Sequence, residues 1–249
     1  MPGMTLVRPR YHVSRPPALA QDEIHVWRAI VPEDRHAAER FQWVLGPDER
    51  VRAESFHFDR DRVRFVFRRA WLKILLSRYL AADVANVRIT HGRYGKPALS
   101  PSVDAPDLRF NLSHSNGMVV VAIAHGREVG LDVEYIRPEV EVDEIARRVF
   151  SRQEAAALAA LPAADRVAAF FACWTRKEAF VKATGEGLSR PLADFDVSLA
   201  PGEPAALLRI EDNPADAPRW SLRALNPGTG YCAALATEGH DWRVSFWDQ

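Results

Sequence analysis

Apolar residues recur along this chain in two rhythms, one of three- and four-residue steps and one of two. Phe170, Phe171, Trp174 and Val181 follow the first, which predicts a helix from about Asp165 that Gly185 and Gly187 stop. On that helix Trp174, Glu178 and Lys182 stand four apart and share one face. Arg60 to Leu80 has the same rhythm, with Val63, Phe67, Trp71, Ile74 and Leu75 as its apolar face. Arg60, Arg64 and Arg68 form a ridge on another side, which reads as a solvated face. Pro47-Asp48-Glu49 opens a shorter helical region. Ala-rich Glu144 to Ala160 predicts one more helix, broken at Pro162.

The two-residue rhythm predicts strands at Glu23–Val31, Val87–Thr90, Val129–Glu134, Phe195–Leu199 and Trp242–Trp247. Met118 to Ala124 is apolar throughout and reads as a buried strand. Arg219–Ala224 and Tyr231–Ala236, joined across Asn226 to Gly230, read as a hairpin. Residues 1–22 read as an irregular arm, and Ser100 to Asp107 as a Pro-punctuated loop. An internal echo runs at an offset of 104 residues: Asp61-Arg62-Val63, Phe67 and Lys73 match Asp165-Arg166-Val167, Phe171 and Lys177. The echo predicts two similar halves that meet near His125 to Glu128.

Composition narrows the class. With 33 basic against 33 acidic residues the 249-residue chain is no polycation, which argues against nucleic acid as a partner. Its longest apolar run is too short to cross a bilayer and its amino terminus lacks a signal-peptide core, so a cytoplasmic protein is expected. Two cysteines, Cys173 and Cys232, set up neither a disulfide framework nor a metal spacing.

Four stretches carry chemistry. Strand alternation puts Leu131 and Val133 on one face and Asp132 and Glu134 on the other. Carboxylates two apart repel unless something positive lies between them. They form either an exposed acidic edge or part of a hard-cation site for Mg²⁺, whose shell phosphates and water complete. Glu178 and Lys182, one helical turn apart, are by default a surface salt bridge. Against that default, only 4 of the 33 basic residues are Lys, and two of those four, Lys177 and Lys182, lie in this one helix. Where Arg dominates so strongly, a Lys points to the need for a compact charge. Gly95-Lys96-Pro97 is a turn in which backbone N–H groups and an ammonium suit a phosphate. Ser113-His114-Ser115 offers two hydroxyls and an imidazole to the same kind of ligand.

Taken in order, these motifs resemble the 4′-phosphopantetheinyl transferases of the Sfp type. The resemblance rests on Gly130-Leu-Asp132-Val-Glu134 and, some forty residues on, Trp174-Thr-Arg-Lys177-Glu178-Ala-Phe-Val-Lys182. Gly95-Lys96-Pro97, Phe110-Asn-Leu-Ser113-His114-Ser115 and the basic element Phe56 to Asp61 extend it; Asn116 stands where the family often has Gly. It implies an α+β pseudo-dimer of two similar halves, residues 1–126 and 127–249, each a small, mainly antiparallel sheet packed on a long helix. It implies an active site at the interface, with coenzyme A in the cleft between the halves. The implied reaction moves phosphopantetheine from coenzyme A to a serine hydroxyl of an apo acyl or peptidyl carrier protein, releasing adenosine 3′,5′-bisphosphate.

In that reading Arg60, Lys96, Pro97, Ser113 and His114 bind coenzyme A, and Asp132, Glu134 and Glu178 hold Mg²⁺. Glu178 also takes the serine proton, and Lys182 stands beside the leaving phosphate. The partner is an acidic helical carrier, docked on arginines between Arg62 and Arg78; the enzyme is a monomer and uses neither nucleic acid nor membrane. Two alternatives follow from the same motifs: a catalytically silent coenzyme A-binding or carrier-docking module, and a Mg²⁺-dependent coenzyme A pyrophosphohydrolase.

Overall fold

The computed structural model describes residues 16, 18–34, 36–103 and 107–248. Most of the irregular arm expected for residues 1–22, and part of the loop before Asp107, lie outside them. The described residues fall into two compact units, Ile30–Arg88 and Leu19–Ala29 with Ile89–Asp248.

The first unit is helical: α1 (Ala37–Phe41), α2 (Pro47–Glu54) and α3 (Asp59–Tyr79). The apolar face expected for α3 is the buried one, with Val63, Phe67, Trp71 and Leu75 inside and Phe67 edge-on to Phe41. The arginine ridge departs from expectation. Arg60 is exposed, but Arg64 and Arg68 are half-buried, and burial among neighbouring arginines lowers the Arg68 pKa.

The second unit holds the sheets. Its elements are β1 (Glu23–Ile30), β2 (Ile89–His91), β3 (Pro97–Leu99), β4 (Leu108–Ser115), β5 (Met118–His125) and β6 (Val129–Tyr135). After them come α4 (Val142–Val149), α5 (Arg152–Ala160), α6 (Ala163–Thr184), β7 (Phe195–Val197) and β8 (Leu207–Ile210). The last three are β9 (Trp220–Leu225), β10 (Tyr231–Glu238) and β11 (Arg243–Asp248). One sheet has the order β11-β1-β5-β4 and a second the order β6-β10-β9, while β2–β3 and β7–β8 are two-stranded. The pairs β4–β5, β6–β10 and β9–β10 are antiparallel; β1 and β11 are parallel. The class is α+β, as expected.

Strand alternation builds the layers. Leu131 and Val133 of β6, with Ala233 and Leu235 of β10, pack against Ile24, Val26, Val120 and Ala122 of the first sheet. The intervening residues Ala234 and Ala236 turn to the other side, onto Phe171, Phe180 and Ala183 of α6. The second sheet is therefore a middle layer, and α6 covers its far face. Cys173 sits inside this core as a small apolar side chain, its thiol pushed well up by burial.

Two expectations need correction. The helix predicted over Glu144–Ala160 is two helices, because Ser151 starts a new one. Its hydroxyl accepts the Glu154 N–H at 3.1 Å, and Glu154 accepts the Ser151 N–H at 3.0 Å, a capping box spelled Ser-Arg-Gln-Glu in the sequence. The run ahead of Met118, expected only as a phosphate-binding motif, is strand β4. Asn116 (φ 41°) and Gly117 (φ 85°) turn β4 into β5, so Asn116 supplies the left-handed conformation that a Gly would.

The sequence echo has a structural counterpart inside each unit. Glu49, at the start of α2, accepts the Gly46 N–H at 2.9 Å and the Lys73 ammonium at 2.7 Å. Glu154, at the start of α5, accepts the Ser151 N–H and the Lys177 ammonium, the latter also at 2.7 Å. Lys177 is 0% exposed, donates to the Leu192 and Phe195 carbonyls and lies 4.2 Å from the centre of the Phe195 ring. Of the two lysines of α6, this one pins the helix to its neighbours; its surroundings leave it no chemistry. Removing one partner of such a buried pair costs about 3–5 kcal/mol.

Candidate active site

Gly130 decides where the site forms. A Cβ there would lie 2.0 Å from the Ala179 carbonyl oxygen and 2.3 Å from the Ala183 nitrogen, so β6 crosses α6 backbone against backbone. Asp132 and Glu134, on the same strand face, consequently point at Glu178 and Lys182 of the helix. Gly130→Ala must push the strand off backbone atoms that have no rotamer to yield. We expect a loss of at least ~3 kcal/mol in chemical denaturation, at the upper end of overpacking costs.

Asp132 is 3% exposed, and Glu134, Glu178 and Lys182 are half-buried. Lys182 reaches across to Asp132 Oδ1 at 2.5 Å and to Ser113 Oγ at 3.1 Å. No ion pair joins it to Glu178 among the described residues, so the simple helix salt bridge is not what forms. Nor is β6 a bare acidic edge. Its N–H groups at Leu131, Val133 and Tyr135 donate to Asn111 Oδ1 at 2.9 Å, Ser113 Oγ at 3.3 Å and Ser115 Oγ at 3.0 Å, all on β4.

Burial pushes all three carboxyl groups above their ordinary pKa values. Asp132 and Glu134 add to the rise at Glu178, and Asp132 to that at Glu134, so the three sense one another. Lys182 opposes the rise at each. A raised carboxyl holds more protons folded than unfolded, so stability falls as pH climbs from the ordinary 3.8 and 4.5 of Asp and Glu through the raised values. The metal-free protein should therefore lose Tm with rising pH more steeply than Glu178→Gln. Parallel profiles in a melting series would contradict this.

The donor set fits a hard cation. Asp132 Oδ2 is buried and without a hydrogen-bond partner among the described residues, and beside it converge carboxylates that repel. The fit is one of chemistry, since no group of three or more His, Cys, Asp or Glu among the described residues is closed tightly enough to enclose an ion.

Of the remaining expected residues, Lys96, Pro97, Ser113 and His114 belong to the same unit as this centre. His114 is exposed on β4 beside Ser113. Ser113 commits its hydroxyl to Asp132 Oδ1 (2.8 Å) while accepting from Val133 and Lys182, which uses its proton and both lone pairs. Lys96 bonds the Ala183 carbonyl at 2.8 Å and Glu128 at 2.6 Å. With Pro97, Gly92, Arg109 and Phe110 it lines a cavity of about 710 Å³. Arg60 lies in the helical unit, 73% exposed and 3.7 Å from Asp61. Sequence reasoning read Ser115 only as a hydroxyl for a phosphate and gave no role to Asn111. Their two-residue spacing on one strand face was the available signal.

Known proteins match this chain along most of its length. Residues 128–236 match the 4′-phosphopantetheinyl transferase superfamily, and residues 25–126 the N-terminal region of 4′-phosphopantetheinyl transferases. The 4′-phosphopantetheinyl transferase HetI of Nostoc is 35% identical over 94% of this chain and 96% of its own. The chain belongs to the 4′-phosphopantetheinyl transferase superfamily. Sfp of Bacillus subtilis, another such transferase, is 33% identical over 68% of this chain and 72% of its own. AcpT of Salmonella typhimurium reaches 43%, over 48% and 60% respectively. This phosphopantetheinyl transferase takes coenzyme A as substrate and a carrier protein as acceptor. No described helix is long and apolar enough to cross a membrane.

Proposed function

We propose that this transferase works through Asp132, Glu134, Glu178 and Lys182, and that the acceptor group is a carrier serine hydroxyl. The observation that carries the reading is that two strand carboxylates, a helix carboxylate and an ammonium act on one another, with Asp132 Oδ2 lacking a hydrogen-bond partner among the described residues. Asp132, Glu134 and Glu178 would hold Mg²⁺, which when bound neutralises charge on the pyrophosphate. Glu178 takes the serine proton as the hydroxyl oxygen bonds to the β-phosphorus and the bridge to the α-phosphate breaks. Lys182 stands by the departing adenosine 3′,5′-bisphosphate as its counter-charge.

Lys96, Pro97, His114 and Arg60 are read as contacts to coenzyme A, supported for the first two by the cavity they line. The division into halves at 126/127 belongs to the same proposal, supported by the two family matches that meet there. A monomeric state draws support from the lock repeated within one chain. Two free cysteines support a cytoplasmic location. The acidic carrier and its dock on the arginines of α3 rest on charge complementarity.

Incubation with coenzyme A, Mg²⁺ and an apo carrier, followed by weighing the carrier, tests the reading. A carrier heavier by one phosphopantetheine is expected. Coenzyme A consumed without a mass gain marks a hydrolase, and no turnover marks a silent binding module.

A further inference from the structure

The site rests on a regular comb of side chains. Asn111, Ser113 and Ser115 lie two apart on β4, and each accepts one N–H of β6, at Leu131, Val133 and Tyr135. The offset is twenty residues in every case, so the strands run side by side in parallel although they belong to different sheets. Side chains thus replace the backbone ladder along this seam. Both serines turn their single proton to the acidic residue one place back: Ser113 donates to Asp132 Oδ1 and Ser115 to Glu134 Oε2, each at 2.8 Å. A hydroxyl that accepts from a backbone N–H and donates to a carboxylate fixes that carboxylate relative to the strand.

We propose that Ser115 and Ser113 are positioning residues that aim Glu134 and Asp132 for the cation and thereby set its affinity. The proposal rests on the reading of those carboxylates as cation ligands. The oxygens they hold are Asp132 Oδ1 and Glu134 Oε2, so Asp132 Oδ2, which has no hydrogen-bond partner among the described residues, would be the one free to bind a cation. Hydrogen-bond partners of metal ligands typically change affinity by about 10–100-fold when removed. Ser115 is the cleaner probe, because Ser113 also carries Lys182.

The experiment titrates Mn²⁺ into the full chain saturated with coenzyme A and reads free Mn²⁺ by electron paramagnetic resonance, with no turnover required. Parent, Asp132→Ala, Ser115→Ala and Ser115→Thr are compared, with melting recorded for each. Asp132→Ala should abolish the tight site; if it leaves binding intact, the cation reading itself fails. With that control met, Ser115→Ala should weaken Mn²⁺ by about tenfold, and Ser115→Thr, which keeps the hydroxyl, should restore it. A lowered Tm with unchanged Mn²⁺ affinity in Ser115→Ala would show that the serine only closes the seam, and would overturn the proposal. Should the alanine variant not fold, Ser115→Cys, a similar volume with a weak donor, carries the same comparison.

Discussion

Asp132→Ala should lose turnover by about a thousandfold, the upper range for deleting one charge-stabilising group from an active site. Three features meet at this residue: Lys182 on Oδ1 at 2.5 Å, Ser113 on the same oxygen at 2.8 Å, and a buried Oδ2 without a hydrogen-bond partner among the described residues. Deleting it leaves the pyrophosphate charge uncompensated and releases Lys182 from its hold. Asp132→Asn separates these effects, since the amide keeps the shape and still accepts from Ser113 and Lys182 but carries no charge. Both variants should be inactive while only the alanine variant shows a changed Lys182. Steady-state kinetics at ordinary Mg²⁺ that returned either variant near the parent's kcat would remove Asp132 from the reaction.

Glu178→Gln is expected to lower kcat about a hundredfold or more, the usual range for a lost general base. In the metal-free protein burial, ahead of the neighbouring Asp132 and Glu134, raises its pKa. Because no ion pair to Lys182 forms among the described residues, the loss cannot be put down to a broken helix salt bridge. The matching change on the helix is Lys182→Arg. A guanidinium is a planar fork, and it does not fit the compact point between Asp132 Oδ1 and Ser113 Oγ that an ammonium occupies. It should be impaired although it keeps the charge. A Glu178→Gln enzyme that binds coenzyme A and turns over within a few-fold of the parent would move the base to a water.

Sequence by itself determined the two long helices and most of the strands. The three-four rhythm of Phe170, Phe171, Trp174 and Val181 and the stop at Gly185 placed α6, because helix period and a left-handed cap are local properties. The alternation around Asp132 and Glu134 put them on one strand face for the same local reason. The echo between Lys73 and Lys177 was legible as spacing, but its cause was not. Each Lys neutralises a Glu that caps a neighbouring helix, 24 residues away in one case and about as far in the other, and such a pairing exists only once the helices pack.

Tertiary structure decided the rest. That Lys177 is a buried lock while Lys182 meets Asp132 and Ser113 depends on which side of α6 meets the core. That Lys182 pairs with Asp132 rather than Glu178 follows from Gly130, whose missing Cβ lets β6 approach the helix backbone. Ser113 looked like a phosphate ligand in isolation, yet its hydroxyl is taken by a strand nineteen and twenty residues further on. Hydrogen-bond capacity is printed in the sequence; which partner fills it depends on distances across the chain that only the packed sheets and helix set.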